Sequence, residues 1–327
     1  MKNVLIVGGA GYIGSHAVKR FMKEGINPVV FDNLVAGHRD AVLCKDFFLG
    51  DLNNKEEILA VFEKFDIDAV MHFAAHCCVG ESVENPEKYY FNNVVGGLNL
   101  LSAMMKADVK KLIFSSTCAI YGDPVEIPIT ESHPKNPINP YGTTKYLFEK
   151  AMEDYSAAYG LRYISLRYFN AAGADPTGEL GERHDPETHL IPVVLMAAMG
   201  EKDGITIFGD DYDTPDGTCV RDYIHISDLI SAHLLAYERL KGGGESGAFN
   251  LGSESGYSVK EVIDVCREVT GRDVKVTIGK RRPGDPPVLV AKSDKIKSEM
   301  GFRVEYTDLT EIVQTAWNFM QKRKIVK

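Results

Sequence analysis

The sequence predicts an α/β protein: a Rossmann-type doubly wound parallel sheet followed by a smaller C-terminal α/β substrate lobe. Three observations carry this. Short β-rich runs alternate with amphipathic helical stretches through the first half. A glycine-rich turn, Gly8-Gly-Ala-Gly-Tyr-Ile-Gly14, joins the first run to the first helical stretch. After Asn170 the texture changes to a polar loop over 173–189, then to sparser strands and helices.

Taken in order, the strand candidates are Val4–Val7, Pro28–Phe31, Phe47–Leu49, Ala69–Phe73, Lys111–Phe114 and Tyr163–Leu166. Helical patterns lie near 14–24, 54–65, 86–107 and 141–159; in the first, Ile13, Ala17 and Phe21 share a face and Gly25 is a natural stop. Such alternation predicts a parallel sheet covered on both faces, with ligands at the carboxyl ends of its strands. Later, helices are expected near 190–200, 226–240, 258–270, 293–300 and 307–322, with strands around 248–251 and 274–278. Gly242-Gly-Gly244 reads as a flexible connector. The expected division is a dinucleotide-binding domain over 1–170 and a substrate domain over 171–327, the chain returning to the first domain in parts.

The 327 residues suffice for two lobes with a cleft between them. A formal charge of -9 argues against a general nucleic-acid or anionic-membrane surface, while leaving room for local basic clusters. The apolar run Val4–Val7 is too short for a signal peptide, and no run approaches membrane-spanning length. Six scattered cysteines form no CxxC pair and have no His partners at metal-ligand spacing, so free thiols, a cytoplasmic location and no metal are expected.

The glycines Gly8, Gly11 and Gly14 permit a tight turn, close backbone approach to a pyrophosphate, and close packing of helix on sheet. The following helix presents unpaired N–H groups and a positive dipole end to phosphates. A glycine pattern alone is weak, since packing also uses such turns. Here it is answered by Asp32 at the end of the next strand, which can accept both adenosine ribose hydroxyls and would repel a 2′-phosphate. Asn33 follows where a phosphate binder would often place Arg, so NAD is favoured over NADP.

Tyr141 and Lys145 lie four residues apart on a predicted helix and project from one face. An ammonium beside a phenol favours phenolate, and a nicotinamide cation would favour it further. A tyrosine so placed can take the proton of a substrate hydroxyl while a hydride leaves the same carbon. Thr117, just past the fifth strand, offers a hydroxyl to the reacting oxygen. Alone, Ser115, Ser116 and Thr117 would read as loop-satisfying hydroxyls; beside Tyr141 and Lys145, Thr117 completes a Thr–Tyr–Lys set.

Further stretches extend the pattern: His72-Phe-Ala-Ala75, Val79-Gly-Glu-Ser82, Tyr121-Gly-Asp123, Pro140-Tyr-Gly142, Arg167-Tyr-Phe-Asn170, Arg221-Asp-Tyr-Ile-His225 and Arg281-Arg-Pro-Gly-Asp285. With these the chain resembles, essentially end to end, the UDP-glucose 4-epimerases of the extended short-chain dehydrogenase/reductase family. The early motifs mark only the superfamily; the last three, in this order, mark nucleotide-sugar enzymes.

The resemblance implies that Gly11, Tyr12, Ile13 and Gly14 cradle the NAD pyrophosphate. Asp32, Asn33, Leu34, Val35, Ala36 and Gly37 would hold the adenosine, with Asp51 and Leu52 at the adenine. Phe73, Ala74, Ala75, His76, Cys77 and Asn92 would surround the nicotinamide half, with Phe169 near the ring and Asn170 near the sugar diphosphate. Leu190, Thr206, Phe208, Arg221, Arg282 and Asp285 would line the UDP pocket. Forked guanidinium donors suit diphosphate oxygens, and a carboxylate suits ribose hydroxyls. Surface salt bridging would explain either arginine taken alone. Cys77 stands where some members carry Lys near the nicotinamide ribose, and Leu289 stands at the position that gates sugar size.

The activity implied is NAD-dependent interconversion of UDP-glucose and UDP-galactose by C4 oxidation, turnover of the 4-keto sugar and re-reduction, in a homodimer paired through helices near 92–107 and 141–159. The alternative is epimerisation of the N-acetylated UDP-sugars. A 4,6-dehydratase would need an acid and a base after the strand-end Thr, where this chain has Cys118 and Ala119. A UDP-glucuronate decarboxylase normally carries Glu in place of Cys118. A non-catalytic NAD-sensing module would commonly lose Tyr or Lys, and both are present.

Overall fold

The computed structural model describes residues 3–282 and 285–326; Pro283 and Gly284 of the Arg281–Asp285 motif lie outside them. The first half contains strands β1 (Asn3–Val7), β2 (Asn27–Asp32), β3 (Phe47–Leu49), β4 (Ile67–His72), β5 (Lys111–Thr117) and β6 (Arg162–Tyr168). It also contains helices α1 (Tyr12–Lys23), α2 (Lys55–Lys64), α3 (Val79–Glu84), α4 (Pro86–Tyr89), α5 (Gly96–Lys106) and α6 (Pro140–Tyr159). The later strands are β7 (Asn170–Ala172), β8 (Ile205–Phe208), β9 (Val220–His225), β10 (Gly247–Leu251), β11 (Gly256–Ser258), β12 (Val276–Gly279) and β13 (Val288–Leu289). With them come helices α7 (Leu190–Ala198), α8 (Ile226–Lys241), α9 (Val259–Thr270), α10 (Asp294–Met300) and α11 (Leu309–Val326).

Seven strands register as one sheet in the order β10-β6-β5-β4-β1-β2-β3, each neighbouring pair parallel. Parallel strands buried on both faces need unbroken apolar runs, and Val4, Leu5, Ile6 and Val7 are all buried, as are Val29, Val30 and Phe31. Ile6, Val30 and Ile113 face one hydrophobic layer under α1 and α8; Leu5, Val29 and Leu112 face the other with α2, α5 and α6. The chain order reverses across β1 and β4, so their carboxyl ends open a crevice. β10 returns from the second half to the edge of β6, and α8 packs on α1 with Phe21 and Tyr237 edge to face.

Local chemistry sets the helix ends. Asn139 accepts the Gly142 N–H at 2.8 Å ahead of Pro140, and Gly160 closes α6 in the left-handed region at φ 72°. The helix expected over 86–107 is instead broken: Asn85 and Pro86 start α4, and a π-turn over Tyr90–Val95 separates it from α5. The extra residue in that turn re-aims the side chains, a device often found at functional sites.

A third apolar cluster joins α7, α9 and α11 around Ile191, Val262 and Trp317. Beside it β9 pairs with β11, β13 and β7, and β8 with β12. The patterns gave no sign of β7, β8, β9, β11 or β13, which are short or alternate little. Gly242-Gly-Gly244 is not a loose connector: the Gly242 and Gly244 N–H groups bond back to Glu238 and Arg239, and Gly243 takes φ 86°. Among the described residues, no helix is long and apolar enough to cross a membrane.

Candidate active site

At the end of β1 the chain turns on Gly8, whose φ is 82°. A Cβ there would stand 2.5 Å from the Ala74 nitrogen, and one on Gly14 would stand 2.1 Å from the Gly8 carbonyl oxygen. Both glycines are fixed by close backbone approach. A Cβ on Gly11 meets only the Gly8 oxygen, at 3.4 Å, so this face of the turn is open to a ligand. Asp32 is buried and accepts the Ala10 N–H at 2.9 Å and the Leu34 N–H at 2.8 Å. Burial raises its carboxyl pKa, opposed by those two bonds. Each oxygen keeps a lone pair for a further donor.

Asp32 through Gly37 form one exposed-to-buried turn, with Val35 75% exposed and Leu34 at φ 60°. Asn33 donates to Asp51 at 2.8 Å, bringing together two positions expected at the adenosine end. Leu52 is buried beneath them. Tyr12 bonds the Gly173 carbonyl at 2.7 Å, so the glycine turn is tied to the loop that follows β7. An open N-terminal helix end, a cradle without Cβ atoms and a carboxylate at the end of β2 fit a dinucleotide pyrophosphate and adenosine.

The Thr–Tyr–Lys set is assembled. Thr117 is the last residue of β5 rather than past it, and its hydroxyl caps Ala119 at 3.2 Å while interacting with the Tyr141 phenol. Lys145 lies one turn along α6 from Tyr141. It is buried, donates to the Ser115 carbonyl at 2.8 Å, and lies over the Phe114 ring at 4.8 Å. Burial lowers its pKa to about 8. Burial likewise pushes the Tyr141 phenol up, with the nearby Cys77 adding to the rise and Thr117 opposing it.

Phe73 through Cys77 form the strand-end loop after β4, with Cys77 exposed. The Phe73 and Ala74 N–H groups bond the Val7 carbonyl, which fixes Phe73, Ala74 and Ala75 against the glycine turn. Asn92, in the π-turn, donates to Asn93 at 2.9 Å. Asn93 is the positioning residue that sequence reasoning missed. Its amide accepts the His76 N–H at 2.9 Å and donates to the His76 carbonyl at 3.0 Å and to the Thr144 hydroxyl at 3.1 Å. It thereby joins the β4 loop to the first turn of α6. A π-turn leaves no sequence periodicity, so an adjacent Asn pair was its only signal.

A second missed network backs α6. Glu149 and Arg167 form a buried bidentate pair at 2.6 and 3.0 Å, and Ser116 donates to Glu149 at 2.6 Å. Arg167 reaches Tyr121, whose hydroxyl donates to Asn250 at 2.6 Å on β10. Every member has a partner, the condition under which a buried polar network rigidifies rather than destabilises. Its signal was a glutamate one residue from Phe148 on the buried stripe of α6.

The expected uridine-diphosphate residues fall into two connected groups. Arg221 on β9 lies beside Leu289 on β13 in register and pairs with Asp285 at 3.4 Å. Thr206 and Phe208 share the exposed face of β8, with Arg282 stacked 3.9 Å over the Phe208 ring. Arg281, by contrast, is engaged by Asp211 and Tyr212. Asn170 donates to the Asp222 carbonyl at 3.0 Å, and Phe169 is buried with Cys118, Ile120 and Tyr121, against which Leu289 packs. Leu190 opens α7. Asp222 was also missed: buried, with burial lifting its carboxyl to about 6, it accepts N–H groups of Ser253, Glu254 and Ala291 and so pins β9 to β10 and β13.

A parallel sheet with a dinucleotide turn at its switch point and a Thr–Tyr–Lys set at the end of β5 belongs to a nicotinamide-using class. The family model for the NAD dependent epimerase/dehydratase family matches residues 4–252, and the chain belongs to that family. The chain is similar to the UDP-glucose 4-epimerase of Halalkalibacterium halodurans, 52% identical over 316 residues that cover 97% of this chain and 95% of the relative. A crystal structure of UDP-glucose 4-epimerase from Brucella ovis in complex with NAD superposes with a TM-score of 0.95 at 52% identity, covering 98% of each chain. That of the Bifidobacterium longum UDP-glucose 4-epimerase, in complex with NAD+ and UDP, gives 0.94 at 36% identity over 99% of each.

Proposed function

We propose that this chain interconverts UDP-glucose and UDP-galactose, with NAD held at the glycine turn and the UDP-sugar reaching the Thr–Tyr–Lys set from the β9–β13 side. The observation that carries the reading is the Tyr141 phenol and Thr117 hydroxyl meeting at the carboxyl end of β5, two strands over from β1 and its Gly8–Gly14 turn. NAD, when bound, supplies the acceptor for the C4 hydride and a ring charge that lowers the Tyr141 pKa.

Tyr141 takes the proton of the sugar 4-hydroxyl, and Thr117 holds the shared proton in line. Lys145, fixed on the Ser115 carbonyl, stands ready to bond the cofactor ribose. Arg221, Arg282 and Asp285 grip the UDP moiety with forked donors and a ribose acceptor. Held there, the 4-keto sugar turns, and Tyr141 returns the proton once the opposite face is reduced. Phe169 and Leu289 supply apolar walls that grip a hexose weakly, which the turn requires. Cys118 after Thr117 leaves no acid for dehydration.

Under this reading residues 1–170, with β10 returning to them, serve the dinucleotide, and the remainder of 171–327 serves the UDP-sugar. The same reading takes the protein as a cytoplasmic homodimer. Exposed Phe91, Val95, Leu98 and Leu147 on the π-turn, α5 and α6 supply the apolar face for pairing. The test is to incubate purified protein with UDP-galactose and no added reductant. Conversion to UDP-glucose without change of mass is expected; a product lighter by one water contradicts it.

A further inference from the structure

The loop between β7 and α7 carries a cluster that the proposed reaction does not use. Glu182, His184, Glu187 and His189 each offer one ligand atom, all within 4.8 Å of one another. His184 Nδ1 lies 3.2 Å from Glu182 Oε1 and 3.4 Å from Glu187 Oε2. His189 Nδ1 lies 2.9 Å from Glu182 Oε1 and 2.9 Å from Glu187 Oε1. Bonds of about 2.0–2.2 Å from a tetrahedral cation set its ligands roughly 3.3–3.5 Å apart; the two His184 separations are on this scale, and the two His189 separations, at 2.9 Å, would have to open by about half an ångström.

His189 Nδ1 shares a hydrogen bond with Glu187 Oε1 at 2.9 Å, the contact a cation would replace; His184 Nδ1 differs. His184 Nδ1 is buried and makes no hydrogen bond, although two carboxylate oxygens stand within 3.4 Å. A donor–acceptor pair at that distance aims at its partner; co-ligands aim at a shared centre. The glutamate side chains are only 7% and 5% exposed. Glu187 is further held by the Thr188 and His189 N–H groups at 2.9 and 3.0 Å, the outer support that orients a ligating carboxylate. Two carboxylates balance a divalent charge, and neutral imidazoles complete a donor set suited to zinc.

We propose that Glu182, His184, Glu187 and His189 form a divalent-cation site of zinc type that fastens the loop over 173–189. Its position gives it a consequence. His184 packs edge-on to the Tyr12 ring at 6.4 Å, and Tyr12 belongs to the glycine turn; His189 directly precedes Leu190 and α7. An ion here joins the dinucleotide turn to the start of α7 without touching the reacting atoms, so its role is structural. The Arg183–Asp40 pair and the His38 contact to the Arg183 carbonyl anchor the same loop to the first half.

The test uses the untagged full-length chain, stripped with chelator, and titrates zinc and then cobalt. One zinc per chain, retained through dialysis, with a raised melting temperature is expected, as is the intense visible absorption of four-coordinate cobalt. H184Q and H189Q should each weaken zinc binding by at least about a hundredfold and abolish that absorption. The metal-free melting temperature of H189Q gives the check on folding, and the wild-type cobalt spectrum stands whether or not a variant folds. No bound ion, a weak octahedral-type cobalt spectrum, or binding unchanged in both variants would overturn the site and mark the cluster as an ion-pair network. Turnover of UDP-galactose is read separately, so failure of the ion site leaves the proposed reaction intact.

Discussion

The two ends of the proposed site are made of different materials. Around Gly8–Gly14 the surfaces offered to a ligand are backbone N–H groups, locked because added Cβ atoms would meet backbone at 2.1–2.5 Å. Around Arg221, Arg282 and Asp285 they are side chains, one on β9 and two on the connection between β12 and β13, held by one ion pair and one aromatic stack. A backbone site cannot be adjusted and tolerates no side chain. A side-chain site yields when its ligand leaves. An enzyme that keeps its cofactor while exchanging its substrate needs this division.

The largest effect should come where the two ends meet. Tyr141→Phe is expected to cut kcat by about 10²–10⁴-fold while the retained NAD, measured after denaturation, stays at the wild-type level. Turnover within tenfold of wild type would remove the assigned proton carrier. Gly14→Val should act through the rigid end, costing both NAD retention and melting temperature, since its Cβ would sit 2.1 Å from the Gly8 oxygen. If that variant keeps NAD with unchanged stability, the backbone argument fails. Arg282→Ala tests the yielding end: KM for UDP-galactose should rise roughly tenfold, about 1.4 kcal/mol of lost binding, with kcat changed less and NAD retention untouched.

An effect on stability rather than turnover lies beneath both ends. Burial, then the Lys145 charge, lowers the His72 pKa from 6.5 to about 3, and its Nδ1 has no hydrogen-bond partner. Below about 6.5 the unfolded chain takes up a proton that the folded chain refuses until about 3. His72 therefore costs stability as pH falls through that window, by up to ~1.4 kcal/mol per pH unit. His72→Leu should flatten the acid limb of stability against pH by about one proton and leave the limb above pH 7 unchanged or slightly higher. Denaturant melts at pH 5 and pH 7.5 decide it; parallel limbs for the two proteins would contradict the assignment.

The same contrast explains what could be read from the sequence. The parallel sheet was legible because buried strands need apolar runs, and Val4–Val7 and Ala69–Met71 supply them. The glycine turn and Asp32 were legible because a backbone site imposes fixed residue types at fixed spacing. Beyond Asn170, β8 and β9 were not, since Thr206 splits the four-residue β8 and Arg221 and Asp222 interrupt β9. The π-turn hid Asn93 because its period matches neither helix nor strand. Nor does local spacing reveal that Lys145 would turn to Ser115, thirty residues earlier. The four-residue Glu/His cluster was read only as part of a polar loop, because its geometry depends on how the loop folds back.

The most direct measurement follows the hydrogen on C4. UDP-galactose deuterated at C4 should yield UDP-glucose that keeps its deuterium at C4, since the hydride leaves and returns within one closed site while only the hydroxyl proton passes through Tyr141. Loss of that deuterium to solvent, or product formed without breaking the C4 bond to hydrogen, would contradict the account.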